Sequence, residues 1–239
     1  WNAKNGSFVV TFTGHTDAVS HVSFSADSKA LITSSVDRTA RLWDVNTQKE
    51  LRKFDHNKFG KKGSRVRTAL LDPAGKILIT TGSIGDMHAW DIATGELLRT
   101  VQERQDIIFF AAAISPTGKI LATGGNDHAV RFWDFATFSY LPRLAGHLDQ
   151  VRAAAISQNG QWMVTVGDDS SARLWDTTNG QQIGYLKAHT STITAVAISP
   201  DDAWIATASA DRTVRLWDAH TRQVLRTFTR HTDIVTAVA

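Results

Sequence analysis

Cysteine is absent from the 239 residues, which removes disulfides, thiolate metal sites and a thiol nucleophile. That absence fits a reducing compartment, with the cytoplasm favoured. Proline is scarce, at 4 residues, so the turns must rest on Gly, Asn, Asp, Ser and Thr. No apolar run reaches the roughly 18–20 residues of a membrane helix, and no signal or transit segment is visible. No segment keeps helical spacing over three turns. Charge of one sign is also lacking: the formal excess is only +3, too weak by itself to argue for a nucleic-acid partner.

What is present is a period. Trp43, Trp90, Trp133, Trp175 and Trp217 follow one another at intervals of 47, 43, 42 and 42 residues, and each is followed by Asp. A period of about 40–45 residues marks one supersecondary unit copied along the chain. The last complete unit reads as four short strands. Ile193 to Ile198 alternates, Pro200-Asp201-Asp202 turns, and Trp204 to Thr207 forms a second strand. Ala210-Asp211-Arg212 turns again, Val214 to Trp217 alternates, and Val224 to Phe228 completes an antiparallel meander. The expected units begin near His15, His56, Gln105, His147, His189 and His231, in a single domain over 1–239.

The Trp-Asp pairs, together with Gly14-His15 and Gly146-His147, resemble the WD-repeat family over the whole chain. The turn chemistry is similar to that of bacterial members. The resemblance implies an all-β propeller of four-stranded antiparallel blades. This chain would supply five full blades, one outer strand at about 8–12 and one inner strand at about 235–239. The flanking half-units read as cuts through repeats of a longer parent chain, leaving open sheet edges.

In that family each blade is locked by a buried His, Ser/Thr, Asp and Trp. The resemblance assigns His15, Thr33, Asp37 and Trp43 to the first blade. The fourth takes His147, Thr165, Asp169 and Trp175, and the fifth His189, Thr207, Asp211 and Trp217. Two blades depart. The third keeps Thr123, Asp127 and Trp133 but has Gln105 in place of His. The second keeps His56, Thr80 and Trp90, but Asp86 lies four residues before its Trp instead of six, as if the turn were shortened. Both are expected to be less rigid. A His, hydroxyl and Asp also suggest a hydrolase triad, but a set that recurs in blade after blade is structural. One His per blade lacks the short spacing of a zinc site. No catalytic residue, metal or cofactor is therefore expected.

The family's geometry implies that partners meet the third and fifth residues after each His and the residue before each turn Asp. Blades one and five are bland there, with Ala18, Ser20, Thr192 and Thr194. Blades two to four carry Arg65, Arg67, Ile108, Phe110, Asn126, Gln150, Arg152 and Asp168, and aromatic plus Arg is the composition of interface hot spots. Between the two exposed positions a buried apolar one is expected, filled by Val19, Val66, Phe109, Val151, Ile193 and Val235. The second blade also holds a six-residue excess within 57–64, rich in Gly and Lys.

These features make a protein–protein interaction scaffold the leading expectation. Its partners would be other proteins or other domains of the same chain, with acidic or partly apolar segments. One alternative is a propeller that regulates an attached ATPase, kinase or protease domain. A propeller enzyme is disfavoured because the inward positions hold no carboxylate or His cluster. Nucleic acid is disfavoured because Phe110 is the sole good stacking platform.

Overall fold

The computed structural model describes residues 4–5, 7–58, 64–139 and 144–239. Most of the 57–64 loop lies outside them. The described residues form two compact units, Trp1–Gln102 and Glu103–Ala239. Both are built from antiparallel four-stranded sheets whose strands are joined in chain order.

The first unit holds two sheets. One comprises β1 (Val19–Phe24), β2 (Ala30–Ser35), β3 (Thr39–Asp44) and β4 (Glu50–Asp55). The other comprises β5 (Val66–Leu71), β6 (Ile77–Gly82), β7 (Asp86–Asp91) and β8 (Leu97–Gln102). The second unit holds three. They are β9 (Phe109–Ile114), β10 (Ile120–Gly125), β11 (Ala129–Asp134) and β12 (Leu144–Ala145); then β13 (Val151–Ile156), β14 (Trp162–Gly167), β15 (Ala172–Asp176) and β16 (Gln182–Leu186); then β17 (Ile193–Ile198), β18 (Trp204–Ser209), β19 (Val214–Asp218) and β20 (Val224–Phe228). Among the described residues the sole helical element is a 3-10 turn over His56–Lys58. This is the all-β meander architecture of a propeller.

Each turn between second and third strands needs one residue in the left-handed region. Arg38, His128, Ser170 and Arg212 accept it at φ near 60–70°, a cost that Gly85 avoids at the same place in the second sheet. Counting back from Trp90, Gly85 matches Arg38, so this turn has the ordinary length. The expected shortening does not occur. Instead Ile84 stands where the other turns have Asp, and Asp86 has moved two residues on, to the first position of β7.

Within each unit the sheets stack face to face. Ile32, Leu42 and Phe54 of the first sheet bury against Val66, Leu78 and Trp90 of the second. Phe132 meets Met163 and Trp175, and Leu174 and Leu186 meet Ile205 and Trp217. At about 25 cal/mol per Å² of apolar surface, the large tryptophans dominate these seams. Trp162 packs into the last seam, whereas Trp204 is half-exposed.

Two expectations about the flanking strands change. Residues 8–12 and 235–239 join no sheet, because a strand needs a ladder partner and the described residues offer none at the required place. Val235 is nonetheless held, its N–H donating to the Ser209 carbonyl at 3.2 Å. Val66, Phe109, Val151, Ile193 and Val235 are buried, but Val19 is 54% exposed. No sheet covers that face of β1 among the described residues, and Val22 and Phe24 are exposed beside it.

Candidate functional site

The recurring polar set forms a continuous hydrogen-bond chain in three sheets. His15 Nδ1 lies 2.8 Å from Asp37 and its Nε2 2.8 Å from Thr33 Oγ1, which accepts the Trp43 ring N–H at 2.8 Å. His147, Asp169, Thr165 and Trp175 repeat this at 3.0, 2.8 and 2.7 Å. His189, Asp211, Thr207 and Trp217 do so at 2.8, 2.8 and 2.9 Å. Each Asp also accepts a backbone N–H next to its His, from Thr16, Leu148 or Thr190. Burial alone would raise the Asp37 carboxyl. Bonds from Thr39, His15 and the backbone outweigh it and hold the group at about 2. Asp169 and Asp211 are likewise held low against burial. Burial lowers His189 despite its Asp211 partner.

The two departing sheets find substitutes. In the third, Trp133 still donates to Thr123 at 2.9 Å, while Gln105 is exposed. Asp127 is taken by the buried Arg131, which donates from both terminal nitrogens. Arg131 sits two residues before its Trp, where β3, β15 and β19 carry Arg41, Arg173 and Arg215. Sequence reading missed this role, since the arginine is ordinary at that place in the repeat. In the second sheet His56 and Trp90 both meet Thr80 Oγ1 at 2.8 Å. Asp86 is buried, 3.5 Å from His56 Nδ1 and 3.2 Å from His88 Nε2. His88 was also missed. Its signal was an Asp-x-His pair on a strand, where alternate residues share a face.

The fifth position after each His has a geometry that the alternating pattern conceals. Pairing of β1 with β2 skips Ser20, and β5 with β6 skips Arg67. Pairing of β9 with β10 skips Phe110, β13 with β14 skips Arg152, and β17 with β18 skips Thr194. All five are bulge residues, and bulges re-aim a side chain away from the ladder. In the bland sheets the bulged hydroxyl serves the fold: Ser20 donates to the Val66 carbonyl at 2.7 Å, and Thr194 donates to that of Val235.

In the second unit the bulge residues meet. The Arg152 guanidinium lies 4.8 Å over the Phe110 ring. It grips Asp168 with two parallel bonds, at 2.8 and 2.6 Å. This bond to Asp168 raises the Arg152 pKa against its partial burial. Arg152 is therefore a braced plate with a paired charge. Gln150 is half-buried, its carbonyl accepting the Asp168 N–H at 2.9 Å. Asn126 is committed internally, accepting from Ile108 N–H at 2.7 Å and donating to the Asp106 carbonyl at 2.9 Å. Ile108 is half-buried. In the first unit Arg65 is exposed and Arg67 half-buried.

Comparison with known proteins follows the same lines. The family model "WD domain, G-beta repeat" matches residues 6–44, 95–134, 138–176 and 180–218. Residues 45–94, which carry the displaced Asp86, fall outside these matches. The target of rapamycin complex subunit wat1 of Schizosaccharomyces pombe is 29% identical over 44% of this chain and 32% of its own length. Periodic tryptophan protein 2 of Arabidopsis thaliana is 34% identical over 45% of this chain and 11% of its own. Human eukaryotic translation initiation factor 3 subunit I is 38% identical over 33% of this chain and 22% of its own. The chain thus spans a third or less of these relatives.

Proposed function

The chain belongs to the WD-repeat family, and from that premise we propose that it is a non-enzymatic docking scaffold that binds protein segments through the bulge residues of its inner strands. The observation that carries this reading is the Phe110–Arg152–Asp168 clamp. It is a half-buried aromatic and a braced guanidinium on rigid sheet positions, the residue types and preorganisation that hot spots share. Asp168 neutralises Arg152, so this part of the surface suits an apolar or aromatic side chain laid over Phe110 and Ile108. Arg65 and Arg67, in the first unit, supply charge for an acidic segment. Two of the relatives are named as subunits of larger complexes, a target of rapamycin complex and an initiation factor, which agrees with a scaffolding role. The polar sets beneath the surface, His15 to Trp43 and their counterparts, serve the fold.

Affinity capture with mass spectrometry tests the proposal, with the full-length protein as bait beside its Phe110→Ala/Arg152→Gln variant. Gln keeps a donor toward Asp168, and a melting curve establishes that the variant is folded. Loss of a wild-type partner from the folded variant is the expected result. Capture of an identical set by both proteins would overturn the proposal.

A further inference from the structure

We propose that His56, Asp86 and His88 form a buried structural site for a zinc-class divalent cation inside the second sheet. The site is independent of the docking surface. Each imidazole is anchored by its far nitrogen: His56 Nε2 lies 2.8 Å from Thr80 Oγ1, and His88 Nδ1 lies 2.9 Å from Thr100 Oγ1. Such second contacts are what orient metal-binding histidines. The near nitrogens, His56 Nδ1 and His88 Nε2, converge with one Asp86 oxygen, all within 4.8 Å of one another.

The spacing sets this cluster apart from the regular sheets. There the His Nδ1 bonds its Asp directly at 2.8–3.0 Å. Here His56 Nδ1 stands 3.5 Å from Asp86 Oδ2 and has no hydrogen-bond partner, although it is buried. His88 Nε2 is 3.2 Å from the same oxygen. Two ligands about 2.0–2.1 Å from a tetrahedral zinc stand roughly 3.4 Å apart. Among the described residues Asp86 also lacks the backbone donors given to Asp37, Asp169 and Asp211. Apart from the two imidazoles it has Ser64 Oγ, 2.7 Å from both carboxylate oxygens. A buried carboxylate with few donors calls for a cation. Arg131 answers that need in the third sheet. In the second sheet the arginine position is His88, whose ring nitrogen stands beside the same carboxylate and could share a metal ion with it.

Two imidazoles and one carboxylate suit zinc or a neighbouring first-row ion and not magnesium or calcium, which take oxygen sets. All three side chains are at most 3% exposed, so the ion would brace the fold where no substrate reaches its remaining coordination position. Gly82 makes the room, since a Cβ there would sit 1.9 Å from Asp86 Oδ1.

The test begins with the full chain stripped by a chelator and then titrated with Co2+ and with Zn2+. The expected result is one ion per chain, a visible tetrahedral cobalt spectrum and a melting point several degrees higher that falls again with chelator. His88→Arg copies the residue found at this place in the other four sheets, and should fold yet show no cobalt spectrum. Failure of the wild type to take up either ion, or unchanged uptake by His88→Arg, overturns the site. Should that variant not fold, the wild-type imidazole ¹⁵N resonances decide. His56 Nδ1 and His88 Nε2 must move when Zn2+ is added, and unmoved resonances overturn the site.

Discussion

Arg131 holds Asp127 through both terminal guanidinium nitrogens, in the sheet whose histidine place is taken by the exposed Gln105. A permanent cation has replaced an imidazole as the partner of a turn carboxylate. The exchange conserves the architecture while changing its electrostatics, because a guanidinium keeps its charge at any accessible pH.

Arg131→Ala should therefore destabilise the protein by about 3–5 kcal/mol, the usual result of stripping one partner from a buried ion pair. Arg41, at the same place in β3, pairs with the partly exposed Glu50, and Arg41→Ala should cost less than about 1 kcal/mol. Urea unfolding of the two variants side by side measures the difference. Equal costs would show that Arg131 is not Asp127's essential partner.

Thr165→Val removes the oxygen that serves both His147 Nε2 and the Trp175 ring N–H. Two buried groups lose their partner, at about 1–3 kcal/mol each. A loss of roughly 3 kcal/mol is expected in the same measurement. A change below about 1 kcal/mol would mean that water or a neighbour replaces the hydroxyl.

Stability should fall with acid in two stages. His21 and His189 have pKa values lowered from 6.5, in both cases mainly by burial. The unfolded chain binds those protons first, so stability that is complete above about pH 6.5 declines below it. Asp37 is lowered from 3.8 to about 2, and its contribution is present above 3.8 and is lost as pH falls toward 2. Melting temperature followed from pH 8 to pH 2 should show both declines, and Asp37→Asn should make the second shallower, with Asp169 and Asp211 supplying the rest. A flat profile in the variant and the wild type alike would contradict the assignment.

Asp168→Ala leaves Arg152 unbraced at a half-exposed position. Stability should change by less than about 1 kcal/mol, while affinity for a partner captured through the clamp drops at least roughly fivefold as preorganisation is lost. Titration calorimetry checks the affinity and thermal melting checks the fold.

Gly146 closes against the Trp175 ring, where an added Cβ would lie 2.3 Å from Cη2. Gly146→Ala should cost about 1–3 kcal/mol, because a buried indole in a packed seam has little freedom to yield. A melting point within one degree of wild type would count against that packing.

Much of the architecture was legible because Trp, Asp and the short alternating strands recur at one spacing, and a period averages out local ambiguity. The departures were legible as departures but not in their resolution. Asp86 looked like a shortened turn because counting back to Trp90 detects displacement without showing that Ile84 has taken the vacated place. Val19 kept the alternation of its strand yet is exposed, since alternation says which face a residue shares and not whether another sheet covers that face. The bulges were hidden for a simpler reason: a residue skipped by the ladder leaves no mark in composition.

The bulged hydroxyls of Ser20 and Thr194 carry a different consequence. Each hands its proton to backbone beyond its own sheet, to Val66 in one case and Val235 in the other. They act as nearest-neighbour couplings in a quasi-one-dimensional array, the quantity that decides whether repeats melt together or one at a time. Phe110 and Arg152, at equivalent bulges, have no hydroxyl to give. Where this chain displays its most distinctive surface chemistry, the stacking of Arg152 on Phe110 takes the place of the hydroxyl rivet.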